Sequence, residues 1–148
     1  MKILMVNKYI YPRAGSESYM LKLSEELKSQ GHEVEYFGMY DEKNTVGNSL
    51  GLYTTNMDFH SKGTQRFLYP FKIIYSREAH KKIGKVLDDF KPDIVHMNNI
   101  NFQLTPSIIY AVKKRNIPLV QTVHDYQMIC PNHLLYSFNE TKPCDRCI

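Results

Sequence analysis

Long apolar runs and cysteines are both scarce in this sequence. No apolar run approaches the roughly 20 residues that cross a bilayer. The apolar start, Met1–Val6, is too short for the core of a secretory signal. Three cysteines in a chain without an export signal favour free thiols or a metal site over a disulfide scaffold. We therefore expect a cytoplasmic protein.

The common nucleotide-binding fingerprints are missing as well. The sequence has no G-x-G-x-x-G and no G-x-x-x-x-G-K motif, so neither a standard dinucleotide site nor a P-loop is indicated. It has no internal repeat and no low-complexity linker. With 148 residues, 43% of them hydrophobic and 23% charged, the chain has the size and balance of a globular protein. We predict one domain over residues 1–148.

Positive charge is concentrated in residues 61–85, although the net charge of the chain is only +4. The basic residues there are Lys62, Arg66, Lys72, Arg77, Lys81, Lys82 and Lys85, and Glu78 is the one acidic residue. Aromatic residues are interleaved with them, a composition that suits an anionic membrane surface or phosphates. A solvated helix face beside core aromatics explains the pattern equally well. Nucleic-acid binding is not expected, because no recognition motif accompanies the charge.

Four short strand-like segments alternate with amphipathic stretches. Ile3–Val6 is a continuous apolar run, which predicts a strand buried on both faces. Val34–Phe37, Ile94–Met97 and Leu119–Val123 are the other predicted strands, and the last two are expected to be buried. The stretches predict helices that bury Met20, Leu23 and Leu27, then Ile83, Val86, Leu87 and Phe90, then Ile108, Ile109 and Val112. This alternation predicts an α/β fold, an open parallel sheet with helices on both faces, similar to a Rossmann domain.

The helix ends carry their own signals. Ser16 is the expected N-cap of the first helix and Gly31 its stop. The second helix is predicted from Ser76 to Phe90, and Thr105 is the expected N-cap of the third, before Pro106. Residues 41–63 are polar and glycine-containing, and we expect them to be irregular.

Ligands of open parallel sheets bind beyond the carboxyl ends of the strands. This rule selects the loops Asn7–Glu17, His96–Gln103 and His124–Tyr126. In the first, Gly15 allows positive φ and close approach to the backbone, and the helix start beside it suits an anion such as a diphosphate. A tight turn before an ordinary helix is the better explanation of this motif taken alone.

Histidines belong to the other two loops. His96 lies in a predicted strand and is followed by Asn98 and Asn99, and a lone strand histidine is more often a core residue than a catalyst. His124 and Asp125 end a predicted buried strand, where a functional role for His124 is favoured. A carboxylate can orient an imidazole or stabilise a developing cation. Adjacent residues of a strand point to opposite faces, however, so the two need not touch.

The cysteines lie close together near the end of the sequence. Cys144 and Cys147 have the C-x-x-C spacing of a zinc knuckle or redox pair, and Cys130 or His133 would have to complete a closed zinc site. Free thiols are slightly favoured.

Six short motifs follow one another along the chain: Met1–Asn7, Tyr11–Glu17, Gly31–Val34, Lys91–His96, His124–Tyr126 and Cys130–Asn132. In this order they resemble the N-terminal domain of glycosyltransferase family 4, GT-B-fold enzymes of bacterial surface polysaccharide synthesis. The likeness covers nearly the whole chain, although residues 41–75 carry little of it. The resemblance implies a hexosyltransferase-type enzyme that transfers a sugar, with retention, from a nucleotide-sugar to a saccharide or lipid-linked saccharide.

The resemblance also implies roles for single residues. Gly15 and its neighbours Ala14 and Ser16 would lie near the donor phosphates, His124 near the transferred sugar, and Asp125 near the positive charge that develops on it. Arg13, His96, Asn98 and Asn99 are candidate substrate-binding residues, the first and the two asparagines from their loop positions. No metal or other cofactor is expected, since the nucleotide-sugar is a co-substrate. A lipid-linked acceptor would suit docking of residues 61–85 at the inner membrane leaflet.

Two departures from the family pattern stand out. Ala14 and Gly15 occupy a place where the family usually has two glycines. The family's C-terminal domain, which holds the nucleotide, has no counterpart in these 148 residues, so this chain alone is expected to be inactive. Two alternatives remain, a free-standing α/β module that binds a phosphorylated small ligand and a small thiol or zinc protein built on Cys130, Cys144 and Cys147.

Overall fold

The computed structural model of the chain describes residues 1–55, 75–100 and 104–144. Strands and helices alternate as β1 (Lys2–Val6), α1 (Gly15–Ser29), β2 (Glu33–Phe37), α2 (Arg77–Phe90), β3 (Ile94–Met97), α3 (Ser107–Lys113) and β4 (Leu119–Gln121). The strands form one parallel sheet in the order β2-β1-β3-β4. A short antiparallel hairpin follows, β5 (Tyr136–Ser137) with β6 (Lys142–Pro143). The predicted open parallel α/β sheet is confirmed.

Alternate residues of the inner strands face two separate apolar cores. Ile3 and Met5 of β1 lie in one core, which α1 covers with Met20, while Leu23 and Leu27 pack at its margin. Leu4 and Val6 lie in the other core, which α2 and α3 cover. The predicted apolar stripes of the helices are buried there, in α2 through Ile83, Val86, Leu87 and Phe90 and in α3 through Ile108 and Val112. Helices therefore cover both faces of the sheet.

Two helix starts differ from the predictions by one or two residues, and two helix ends are as predicted. Ala14, rather than Ser16, is the N-cap of α1. Ser76 caps α2 as predicted, since its side chain accepts a hydrogen bond from the Ala79 N–H. Pro106 takes the N-cap position of α3, and Thr105 before it has a left-handed backbone with φ of 57°. Gly31 ends α1 with φ of 86°, as the stop signal predicted.

The fourth strand was expected to be buried and five residues long, and this prediction is wrong in both respects. β4 ends at Gln121, and Val120 and Gln121 are exposed. β4 lies at the edge of the sheet and pairs only with β3, whereas β1 lies in the middle and pairs with a strand on each side. Fewer side chains of β4 are therefore covered by neighbouring elements. Residues 41–55 are irregular as predicted, apart from a bridge between Met39 and Thr54, and residues 56–63 lie outside the described part.

No helix within the described ranges combines the length and the apolar character that a membrane crossing requires.

Candidate functional site

The carboxyl end of β1 is organised by Asn7, which is fully buried. Its Oδ1 accepts a hydrogen bond from the Asn99 N–H at 2.8 Å, and its Nδ2 donates to the Tyr9 carbonyl at 2.6 Å and to Glu17 Oε1 at 3.1 Å. The Lys8 N–H donates to the Asn99 carbonyl at 2.7 Å. One amide side chain therefore ties the loop after β1 to the start of α1 and to the loop after β3.

The start of α1 is closed by Glu17, whose side chain is only 4% exposed. Glu17 Oε2 accepts from the Ala14 N–H at 3.1 Å and Oε1 accepts from Ser16 Oγ at 3.0 Å. Ser16 is thus inside the helix and bonded to the carboxylate, which explains why it does not act as the N-cap. The carboxylate satisfies one of the N–H groups that a helix start leaves free.

Gly15 is the first residue of α1, and its φ lies outside the left-handed region that its place in a turn had suggested. A Cβ built on Gly15 would meet no described atom within 4 Å. Ala14 and Gly15 are both exposed. The backbone at this helix start is consequently open to a ligand because of its position, without any unusual backbone conformation.

Arg13 is exposed at the end of the same loop. Its guanidinium carbon lies 4.1 Å from the centre of the Tyr9 ring, and the Lys8 ammonium lies 5.0 Å from the same centre. Tyr9 thus holds two cations beside the loop after β1. The structure places Arg13 close to the carboxyl end of the sheet, as its loop position predicted.

The ends of β3 and β4 meet through Asn98 and His124. Asn98 is 2% exposed, its N–H donates to the Val6 carbonyl at 2.8 Å, and its Oδ1 lies 2.9 Å from His124 Nε2. Its Nδ2 is buried and has no partner among the described residues. An unpaired buried donor costs about 1–3 kcal/mol, so this amide is not placed to maximise stability.

His96 lies beside this pair on β3. Its Nε2 is 2.8 Å from Thr122 Oγ1, in the segment that follows β4. Burial lowers the pKa of His96 from its ordinary value of 6.5, and repulsion from the neighbouring His124 lowers it further. His96 is therefore held neutral at pH 7 and links β3 to the loop after β4.

The third element at this edge is α1. The Tyr19 ring meets the His124 ring edge-on, with centroids 5.3 Å apart and an interplanar angle of 70°. Both residues are exposed. The geometry therefore brings His96, Asn98 and His124 together next to the first turns of α1, and it brings Asn99 to Asn7.

Asp125 has a different surrounding from His124. Its Oδ1 accepts from the Gln127 N–H at 2.9 Å, which stabilises the turn of its own loop. No hydrogen bond joins it to His124 in the part of the chain that the structure describes. The two residues do not form a carboxylate–imidazole pair, because the Asp125 carboxylate is turned toward the backbone of its own loop.

Four residues of this edge were not singled out individually from the sequence: Asn7, Glu17, Tyr19 and Thr122. Asn7 follows β1 as Asn98 follows β3, so the rule that selected the loops contained the signal for it. Glu17 was visible only as an acidic residue in the first turn of a helix. Tyr19 and Thr122 reach the site through tertiary packing, which leaves no local pattern.

The two described cysteines flank the hairpin that follows β4: Cys130 lies in the loop before β5, and Cys144 directly follows β6. Burial raises the pKa of the Cys130 thiol, but backbone N–H groups of Leu135, Asn132, Leu134 and His133 favour the thiolate and leave that pKa below its ordinary value. The Cys144 N–H donates to the Leu135 carbonyl at 2.8 Å. Cys147 lies outside the described residues. Within residues 1–55, 75–100 and 104–144, no three His, Cys, Asp or Glu side chains are placed to hold a metal ion.

Known proteins resemble this chain in sequence and in fold. An uncharacterised 42.6 kDa protein in the cps region of Klebsiella pneumoniae is 29% identical over 153 aligned positions, which cover 92% of this chain and 40% of that protein. A solved α-glucosyltransferase, in complex with UDP and a 13-mer DNA containing an HMU base, has a TM-score of 0.48 at 18% identity. That comparison covers 95% of this chain and 35% of the other.

The chain thus spans well under half the length of either protein. The sequence profile of Glycosyltransferase Family 4 matches residues 13–142, which include the start of α1, both histidines and both asparagines of the sheet edge. The chain belongs to glycosyltransferase family 4.

Proposed function

We propose that this chain forms the acceptor-binding part of a retaining glycosyltransferase. The reaction is transfer of a hexosyl group from a nucleotide-sugar to a saccharide or lipid-linked saccharide in cell-surface polysaccharide synthesis. The observation that carries the proposal is the meeting of α1, Asn98 and His124 at the carboxyl edge of the sheet in a member of this family. The location of the Klebsiella relative in a cps region supports the polysaccharide role.

The chemistry of the edge suits a neutral, hydroxyl-rich ligand. His124 and Tyr19 are exposed there, and both can donate and accept hydrogen bonds. The nearest carboxylate beneath the helix start, Glu17, is buried and engaged with Ala14, Ser16 and Asn7. A sugar therefore meets polar groups without having to displace a charged pair.

The donor phosphates would approach the open helix start at Gly15, where Arg13 supplies positive charge nearby. Ala14 in place of a glycine adds a methyl group at this point, and the Ala14 N–H is already bonded to Glu17. We expect weak donor binding to this chain alone, because the family's C-terminal domain would supply the stabilisation of the leaving group. The chain alone is then inactive in transfer.

The site can be tested by backbone NMR of the chain titrated with UDP-glucose and, separately, with maltose as a model saccharide. We expect saccharide-induced shifts at Asn98, Asn99 and the start of α1. His124→Ala should abolish them. His32→Ala is the matched control, because His32 lies before β2, at the opposite end of the sheet. Shifts confined to that opposite end, or binding that requires Mg²⁺, would contradict the proposal.

The proposal also includes contact of the basic segment, residues 61–85, with the inner membrane leaflet. Residues 61–74 of the basic segment lie outside the described residues. In α2, Lys81 and Lys85 are exposed on one side, while the Lys82 ammonium bonds to Glu78 Oε1 at 2.7 Å and to the Tyr53 carbonyl at 2.8 Å. Lys81 and Lys85, together with Arg77 at the start of the helix, are thus the exposed cations of α2 that are available to anionic lipid.

Vesicle co-sedimentation tests this contact. Reversing Lys81 and Lys85 to Glu should weaken binding to vesicles that contain phosphatidylglycerol, because each basic residue near such a surface contributes about 1 kcal/mol. Reversing Lys22 and Lys28 of α1, on the other face of the sheet, is the control. Equal binding by the two double variants would exclude α2 as the contact.

A further inference from the structure

Asn98 has a single side-chain partner among the described residues, and that partner is His124. Its backbone N–H is fixed by the Val6 carbonyl at 2.8 Å, so the position of the residue does not depend on its side chain. The side chain is buried beneath an exposed histidine. The amide is consequently placed where it can set the orientation of the imidazole without meeting solvent itself.

The unpaired Nδ2 distinguishes Asn98 from Asn7, the buried asparagine at the end of β1. Asn7 uses both ends of its amide on three protein partners. Asn98 uses only Oδ1, although it is buried almost as deeply. Buried polar side chains retained for stability are normally fully paired. An amide that is half paired, with its one bond to a histidine at a ligand-binding edge, indicates a role exercised through that histidine.

We propose that Asn98 is a positioning residue that holds His124 as its Nε2–H tautomer, so that Nδ1 is presented as a hydrogen-bond acceptor to a sugar hydroxyl. The amide oxygen at 2.9 Å can only accept, and therefore it selects the tautomer that carries the proton on Nε2. Presentation of Nδ1 to a hydroxyl rests on the proposed function. Selection of the tautomer does not.

The surroundings of His124 add little competition for the ring nitrogens. Tyr19 of α1 contacts the ring edge-on, and His96 of β3 is committed to Thr122. Asp125, the next residue, bonds to Gln127. No described residue hydrogen-bonds to Nδ1 of His124. The amide of Asn98 is therefore the group that decides which nitrogen carries the proton.

The tautomer can be read directly by two-bond ¹H–¹⁵N NMR of the full chain labelled with ¹⁵N-histidine, with His124→Gln to assign the signal. In the wild type we expect a protonated Nε2, a bare Nδ1 and a slowly exchanging Nε2 proton. Asn98→Leu, of similar volume, removes the acceptor. The minor tautomer should then become detectable, and exchange of the Nε2 proton should quicken about five- to tenfold, as expected for loss of one ordinary hydrogen bond. Asn98→Asp keeps an acceptor oxygen and should restore the slowly exchanging Nε2 proton.

A structural role would give a different pattern. Asn98→Leu also removes the unpaired buried N–H, so we expect its melting temperature to stay at or above that of the wild type while the His124 signature is lost. An Nδ1–H tautomer in the wild type would show that the amide donates to His124, and it would overturn the proposal. An unchanged signature in Asn98→Leu would do the same. Neither result depends on sugar binding, so failure of the proposed function is detected separately, by the saccharide titration.

Discussion

The loops that follow β1 and β4 lie at the same edge of one sheet, yet they are built in opposite ways. After β1, Asn7 and Glu17 are buried, and they hydrogen-bond to each other and to three backbone groups. After β4, His124 is exposed and has one hydrogen-bond partner within the described residues, Asn98. Polar residues that are enclosed and fully paired maintain a shape, whereas exposed residues with spare hydrogen-bonding capacity are available to a ligand. The buried residues of the first loop, Asn7 and Glu17, therefore maintain the shape of the edge, whereas His124 of the second loop has hydrogen-bonding capacity left for a ligand.

The largest test of this contrast is Glu17→Ala. The change removes a buried carboxylate that accepts three hydrogen bonds and leaves the Ala14 N–H without its partner. We expect the free energy of unfolding to fall by about 2–4 kcal/mol, measured by urea denaturation. Glu25→Ala, at an exposed position of the same helix, should change it by no more than about 0.5 kcal/mol. If the two variants were equally stable, the loop after β1 would not be a scaffold.

A smaller effect is expected from Thr122→Val, in the segment after β4. The substitution keeps the shape of the side chain and removes the hydroxyl that lies 2.8 Å from His96 Nε2. A single neutral hydrogen bond is worth about 1 kcal/mol, and urea denaturation should show a loss of that size. Thr45→Val, whose hydroxyl is 3.4 Å from the Ile10 carbonyl, serves as the comparison and should cost less. A loss as large as that of Glu17→Ala would remove the contrast between the loops.

The pH dependence of stability tests the link that His96 makes between β3 and the loop after β4. Because burial and the nearby His124 lower its pKa from 6.5, the unfolded chain takes up a proton at His96 before the folded chain does. Stability must then fall as the pH drops below 6.5. His96→Gln does not titrate, so its stability relative to the wild type should improve between pH 7 and pH 6; because His96 is half exposed, solvent screening keeps the gain below about 1 kcal/mol. A difference that is constant over this range would show that His96 is not held neutral.

The smallest change in stability is expected from Asp125→Asn. The amide oxygen can still accept from the Gln127 N–H, so the unfolding free energy should stay within about 0.5 kcal/mol of the wild type. If the charge of Asp125 supports the transferred sugar, sugar transfer by an enzyme that contains both domains of the family will slow although stability is unchanged. Asp125→Ala is the matched variant, since it also removes the turn contact. A stability loss in Asp125→Asn would show that the charge serves the loop instead.

The fold was predictable where the spacing of the apolar residues and the residues that begin or end an element indicate the same structure. β1 carries the unbroken apolar run Ile3–Val6, and Ser76 and Gly31 mark helix ends that the structure keeps. β4 was overestimated because Leu119–Val123 has the composition of a buried strand, while its place at the edge of the sheet is fixed by pairing that the sequence does not display. The hairpin of β5 and β6 was missed because its strands have two residues each, too few for a period to show.

The location of the candidate site could be predicted from the sequence, but the hydrogen bonds between its residues could not. The strand-end rule selected Asn98, Asn99 and His124, and the structure brings them to one edge. It gave no means of pairing Asn98 with His124, which are 26 positions apart, or of seeing that Asp125 serves its own loop. Such pairings depend on side-chain directions at strand ends, where the alternation of a strand has already stopped.

The register of β1 with β3 also determines when this site can exist during folding. Ile3 pairs with Ile94, whereas the partner of Ile3 on the other side, Val34, is much nearer along the chain. Pairing of β1 with β2 therefore closes a shorter stretch of chain than pairing of β1 with β3, and it carries the smaller entropic cost of loop closure. Asn98 and His124 meet α1 only when β1 pairs with β3. A nascent chain that has made only β1, α1 and β2 lacks these two residues of the edge.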